Sequence, residues 1–220
     1  MKKLKKYRHL FALLAIPLLN LLYLTQNHTS SRVWSLVTEP DIAFPFVPAF
    51  AVPYLLWYPF LFLVLTLVLR RSVRQYYRTI LALCIGVLVA SLTYFLFQTT
   101  VPRPTVEPEG FFNGLVSFVY AHDEPFNCFP STHVLSSTLM IYGAVVLGRK
   151  TRIAIFLFSL TIIASTLFIK QHVIADVLAG VLVAKFSYEF AGLLLNRFLY
   201  RERREKVESS MESGTSVGVK

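Results

Sequence analysis

Apolar residues gather in six runs along this 220-residue chain, at 9–25, 49–69, 79–99, 132–148, 152–169 and 173–196, with polar segments between them. A helix needs about 20 apolar residues to cross the hydrocarbon of a bilayer, so each run is expected to be a transmembrane helix. The second run contains Pro53 and Pro59 and should kink there, which membrane helices tolerate. The fourth and fifth are joined only by GRKT and should form an antiparallel hairpin. The opening MKKLKKYRHLFALLAIPLL imitates a secretory leader, but the following LLYLTQNHTS offers no small-x-small cleavage site. A retained first span is therefore expected.

The basic residues orient these spans. Lys2, Lys3, Lys5, Lys6 and Arg8 precede the first, Arg70, Arg71, Arg74 and Arg78 separate the second and third, and Arg149, Lys150 and Arg152 lie in the hairpin turn. Arg197, Arg201, Arg203, Arg204, Lys206 and Lys220 follow the last. With six spans all of these fall on one side, which the positive-inside rule makes cytoplasmic, together with both termini. The other side receives only Arg32, Arg103 and Lys170. The net charge of +10 is thus accounted for by topology, and a nucleic-acid partner is not expected.

Composition agrees: 55% of residues are hydrophobic, 15% are charged and the mean hydropathy is +0.57, where a soluble domain would carry about 25% charged residues. The expected architecture is an all-α polytopic membrane protein, with residues 1–200 as a six-helix domain and 201–220 as a polar, disordered cytoplasmic tail. Cys84 and Cys128 suggest neither a disulfide framework nor a zinc site and read as packing residues.

Segments 26–48, 100–131 and 170–172 remain on the outer side, and Arg103, His133, Lys170 and His172 all lie in or beside them. Ionisable groups at membrane depth are functional candidates. In KQHVIAD, residues 170–176, His172 and Asp176 are spaced i, i+4 and share a helix face. A carboxylate there fixes one ring nitrogen as N–H and leaves the other a lone pair for attack or proton transfer. The same spacing also suits a purely structural pair. In VPRP, Arg103 stands between two prolines, and its stiffened guanidinium suits bidentate capture of an oxyanion or simply an interfacial position. Lys170 is either a second cation for that anion or a snorkelling span-end lysine. In CFPSTHV, residues 128–134, Pro130 can open a helix and Ser131 or Thr132 can cap it. The free N–H groups of such a terminus bind anions, and His133 beside them could protonate a departing oxygen.

FPSTH followed by STLFIKQHVIAD resembles the type 2 phosphatidic acid phosphatase superfamily, whose members share an Arg-Pro element, a Pro-Ser-x-His element and a Ser-Arg-x5-His-x3-Asp element. The match runs from Arg103 to Asp176 and extends to the six-helix layout. The resemblance implies that His172 is the nucleophile forming a phosphohistidine and Asp176 its orienting partner. It implies His133 as the general acid, and Arg103, Ser131 and Thr132 as holders of phosphate oxygens. The implied protein is a lipid phosphatase of the cell membrane with its active site on the extracytoplasmic side. It acts on a lipid phosphomonoester or pyrophosphate, with no cofactor or metal.

Two positions depart from the pattern: Leu96 stands where the family usually has Lys, and Thr166 where it has Arg. Lys170 is the candidate replacement for one of these cations. A divergent branch, similar to the inositol phosphotransferases of sphingolipid synthesis, also lacks the full cation set, so transfer to an alcohol is the alternative. A non-catalytic transporter or scaffold is the more distant one. His9 and His28 read as interfacial, and the run His122, Asp123, Glu124 as a loop rather than a metal site. Lys185 and Glu189 should neutralise each other, and residues 39–50 should lie along the outer interface.

Overall fold

The computed structural model describes residues 8–28, 32–107 and 109–215, with side chains of Arg8, Leu199 and the residues from 201 onward outside the description. The N-terminal lysines therefore lie outside the described residues, and beyond the boundary expected at residue 200 only the backbone of 201–215 is described. Helix accounts for 76% of the chain, and the all-α expectation holds. Nine helices are described: α1 (Ala15–Gln26, led by a 3-10 stretch Arg8–Leu14), α2 (Glu39–Ala43), α3 (Ala51–Leu55), α4 (Trp57–Arg71), α5 (Val73–Leu96), α6 (Phe111–His122), α7 (Thr132–Gly143), α8 (Arg149–Phe168) and α9 (Ile174–Thr215). Two-residue strands β1 (Trp34–Ser35) and β2 (Thr99–Thr100) pair in parallel and tie the loops at one end together.

Among the described residues, five helical stretches are long and apolar enough to cross a membrane: His9–Gln26, Pro48–Arg71, Val73–Leu96, Arg149–Phe168 and Ile174–Phe198. The fourth expected run is a shorter apolar helix, Thr132–Val146. It is also the centre of the bundle. α7 packs against α4, α5, α8 and α9, and every side chain from His133 to Met140 is buried. Large apolar side chains such as Phe11, Leu63, Leu92 and Phe186 stay exposed on the outer helices, as expected of helices that face lipid.

Three differences from the expected boundaries have local causes. The basic stretch RRSVRQYYR is not a loop, because the Ser72 hydroxyl accepts the Gln75 N–H and starts α5 within one residue of the end of α4. The second run breaks at Leu56. Pro59 cannot donate to the carbonyl four residues back and its ring crowds that carbonyl, so the chain turns between Tyr54 and Trp57. The loop 100–131 contains α6, whose FFNGLVSFVYAH buries Val116 and Val119 against α3.

Candidate active site

α9 starts immediately after the turn that ends α8, and this turn presents His172. Lys170 adopts φ 54°, a left-handed conformation unusual for a residue with a Cβ. The Thr166 carbonyl then accepts both the Gln171 and the His172 N–H, at 2.9 and 3.0 Å. Thr166 itself is buried and its hydroxyl donates to Ile163 O. Where the family has an arginine side chain, this protein contributes a carbonyl that fixes the backbone of the candidate nucleophile. Leu96 closes α5 with 72% of its surface exposed, so neither departure places a cation at the site.

Asp176 is fully buried and makes several connections at once. Its Oδ2 accepts the Val173 N–H at 2.9 Å and lies 3.3 Å from His172 Nδ1. An ionised carboxylate only accepts, so this geometry suits the His172 tautomer with its proton on Nδ1 and its lone pair on Nε2. Its backbone carbonyl accepts the Ser131 N–H at 3.2 Å and joins the start of α9 to the start of α7. Gly180, one turn further, permits that approach: a Cβ there would lie 2.8 Å from the Ser131 carbonyl oxygen and 2.9 Å from Val134 Cβ. Gly180→Ala should therefore lower the unfolding free energy by about 1–3 kcal/mol and reduce activity. Denaturant unfolding and turnover of the same sample would check both, and unchanged stability would mean that the helices separate freely.

Ser131 caps α7, its hydroxyl accepting the Val134 N–H at 3.4 Å, so the first amides of α7, which have no intrahelical acceptor, remain for an anion. His133 is buried, and its Nδ1 has no hydrogen-bond partner among the described residues. Two aromatic rings hold it: Tyr54 stacked at 4.3 Å between centroids and Trp57 tilted at 4.0 Å. These lie on either side of the proline-induced break. Tyr54 OH donates to Asp123 Oδ2 at 2.6 Å and Trp57 Nε1 to Ser136 Oγ at 2.7 Å. The His133 and His172 rings are 6.0 Å apart.

Sequence reasoning missed the Tyr54–Trp57 clamp, as well as the role of Asp123, which also accepts from Tyr23 OH and Asn27 Nδ2. Only the proline pair flanking these aromatics signalled it.

Arg103 reaches the same end. Its Nη2 donates to Gln171 Oε1, its Nη1 lies 3.5 Å from Tyr120 O, and its guanidinium sits 4.5 Å over the Tyr120 ring. Burial pushes the Tyr120 hydroxyl up to about 12, against the opposing pull of Arg103, so it stays a neutral donor, bonded to Ile169 O at 2.7 Å. Lys170 lines the same cavity as Arg103 and His172. Its ammonium donates to the Asp41 and Phe44 carbonyls, at 2.9 and 2.5 Å, so it anchors the 38–44 segment instead of standing free. Thr132 lines a different cavity, together with His133. The first cavity, about 400 Å³, is lined by Arg103, Lys170, His172 and Asp41. The second, about 240 Å³, is mostly apolar and reaches Tyr54, Trp57, Thr132 and His133.

Asp41 secures this arrangement from outside. Its Oδ1 accepts the Ile174 N–H at 2.8 Å, the first amide of α9, and its Oδ2 accepts the Thr38 N–H and hydroxyl. Burial opposes ionisation, but the hydrogen bonds from Thr38 and Ile174 and the Lys170 charge outweigh it and hold the carboxyl below its ordinary 3.8. A depressed folded-state pKa contributes stability that is complete above the unfolded value and lost as pH falls through the folded one. Thermal unfolding should thus show a loss below about pH 3.8 that is smaller in Asp41→Asn. Equal acid sensitivity of both proteins would remove Asp41 from this role.

Cys128 brings its sulfur within 4.8 Å of the His172 and Asp176 ligand atoms. Burial and then the Asp176 carboxylate push its thiol well above its usual range, which favours a neutral packing group. Glu189 pairs with Arg78, at 3.5 Å, in place of the expected Lys185.

The sequence elements that the resemblance rested on have thus come together from three separate segments at one end of the bundle. A model of the PAP2 superfamily matches residues 28–190, a stretch that holds Arg103, Ser131, Thr132, His133, Lys170, His172 and Asp176. Neither a curated protein nor a solved structure shows a significant match. With the match covering most of its length and the motif residues assembled in space, the chain belongs to the PAP2 superfamily.

Proposed function

We propose that this protein is an integral-membrane lipid phosphatase that works through a phosphohistidine on His172. The observation that carries the reading is the pair of histidines 6.0 Å apart, only one of which is oriented by a carboxylate. Nε2 of His172 attacks phosphorus, and the bond from phosphorus to the leaving oxygen breaks. His133 gives that oxygen a proton. Water then attacks the phosphorus of the phosphohistidine, His133 takes back a proton from that water, and the P–N bond to His172 Nε2 breaks to release phosphate. Arg103, with the free amides of α7, holds the non-bridging oxygens, and Ser131 and Thr132 set that terminus. Lys170 shapes the cavity through the segment it anchors.

The two cavities support a lipid substrate. The one beside His133 is apolar, suited to the hydrocarbon-bearing leaving group, and the one beside His172 contains the guanidinium. Six spans, the short one central, are the corresponding membrane layout, with residues 1–200 as the membrane domain. Arg70, Arg71, Arg149 and Lys150 sit at the bundle end away from the histidines, which supports an extracytoplasmic active site. No metal is needed in this scheme.

A second reading rests on a specific observation. Neither position 96 nor position 166 supplies a cation, and Lys170 is engaged by carbonyls. A site with a single guanidinium matches a singly charged phosphodiester better than a dianion, which favours transfer of a phospho-headgroup to an alcohol. Purified protein should be offered phosphatidate, phosphatidylglycerophosphate, a polyprenyl pyrophosphate, and a phosphodiester lipid with an alcohol acceptor. Phosphate release supports hydrolysis, a new phosphodiester product supports transfer, and inertness towards the whole panel would overturn both.

A further inference from the structure

A second polar cavity, of about 310 Å³, lies between the start of α5 and the middle of α9. Gln75 Nε2 donates to Tyr142 O and Tyr188 OH, so the α4–α5 turn, the end of α7 and the middle of α9 meet here. Asn196 on its rim is about 30 Å along α9 from Asp176. This is not the catalytic end.

Two guanidinium groups line this cavity. Arg74 is exposed and its Nη2 donates to Asn196 Oδ1 at 2.6 Å. Arg78 lies 3.9 Å over the Tyr188 ring, its Nε donates to Tyr188 O at 3.2 Å, and its Nη2 is 3.5 Å from Glu189 Oε2. Glu189 is the one carboxylate on the lining among the described residues and its side chain is 68% exposed, so that pair is weak. The Nη1 groups of both arginines have no protein acceptor among the described residues.

Gly192 makes room for this arrangement. A Cβ there would stand 2.7 Å from Arg78 Nη2, and the flexible guanidinium would have to swing away. Ser72, which caps α5, lines the cavity too and adds the positive end of that helix's dipole. The rim is apolar on one side: Leu193 lines the cavity and is 67% exposed. Paired guanidinium forks suit phosphate oxygens, and an apolar rim suits a ligand that also carries hydrocarbon.

We propose that this cavity binds the phosphodiester headgroup of an anionic membrane lipid, distinct from the substrate, in the leaflet at the basic end of the bundle. Bound there, the lipid bridges α5 and α9 and stabilises the frame that holds the two histidines.

The test uses the full chain, stripped of lipid in detergent. Phosphatidylglycerol, phosphatidylcholine or inorganic phosphate is added, and thermal unfolding and lipid retained in native mass spectrometry are measured. Phosphatidylglycerol should raise the midpoint and remain bound, whereas phosphatidylcholine and inorganic phosphate should do neither. Arg74→Gln/Arg78→Gln should weaken retention about tenfold. Gly192→Ala, which displaces Arg78 without removing charge, should weaken it in the same direction, and His172→Ala should leave it unchanged. Equal retention of the two lipids, protection by inorganic phosphate alone, or dependence on His172 would each overturn the proposal. If the double variant does not fold, Gly192→Ala decides: undiminished retention there rejects the site.

Discussion

Replacing His172 by alanine is expected to reduce phosphate release by about 10⁴-fold or more while leaving the bundle folded. The two halves of this expectation have separate grounds. The imidazole's one hydrogen bond among the described side chains is to Asp176, and its backbone is held by the Thr166 carbonyl whatever the side chain. Asp176 keeps its bond to the Val173 N–H in the variant, so the start of α9 stays capped. Asp176→Asn should lose about 10²–10⁴-fold, because an amide can present a donor to Nδ1 and reverse the tautomer. Turnover, circular dichroism and size-exclusion profiles on the same preparations check this. A folded His172→Ala protein with near-normal turnover would exclude the nucleophile assignment.

His133 carries the second large effect, and it should depend on the leaving group. His133→Ala is expected to slow hydrolysis of a lipid phosphate by about 10²–10⁴-fold, since an alkoxide leaves poorly without a proton. With a nitrophenyl ester the leaving oxygen needs no proton, and the loss should shrink to less than about tenfold. A merely structural histidine would impair both substrates alike. Tyr54→Ala and Trp57→Ala should reproduce the pattern in weaker form, because the His133 ring, with Nδ1 unpartnered, is oriented by those two faces. Tyr54→Phe keeps the face but drops the bond to Asp123 and should fall between them.

The chemistry-bearing residues were legible because their spacing is local: His172 and Asp176 are one helical turn apart, and Ser131 precedes His133 in a capping sequence. The membrane character was equally legible, since it rests on run length and on where the arginines fall. What escaped was non-local. Nothing in the local pattern of FPSTH says that α7 is the most enclosed helix or that Tyr54 and Trp57, some 80 residues earlier, grip its histidine. Lys170 read as either a second cation for the anion or a snorkelling span-end lysine, because sequence does not reveal the carbonyls of Asp41 and Phe44 at its ammonium. Glu189 read as the partner of the lysine one turn before it, whereas the nearer guanidinium comes from α5. Each miss is a tertiary contact prevailing over a local rule.

The covalent intermediate tests the central claim most directly. Purified protein would be mixed with a lipid phosphate labelled in its phosphoryl group, quenched in alkali within the first turnover, digested and mapped. A phosphohistidine account predicts label that survives alkali, is lost in acid and resides on the peptide containing His172, with none in His172→Ala. Turnover without a labelled protein species under these conditions, or label on any other residue, would contradict it.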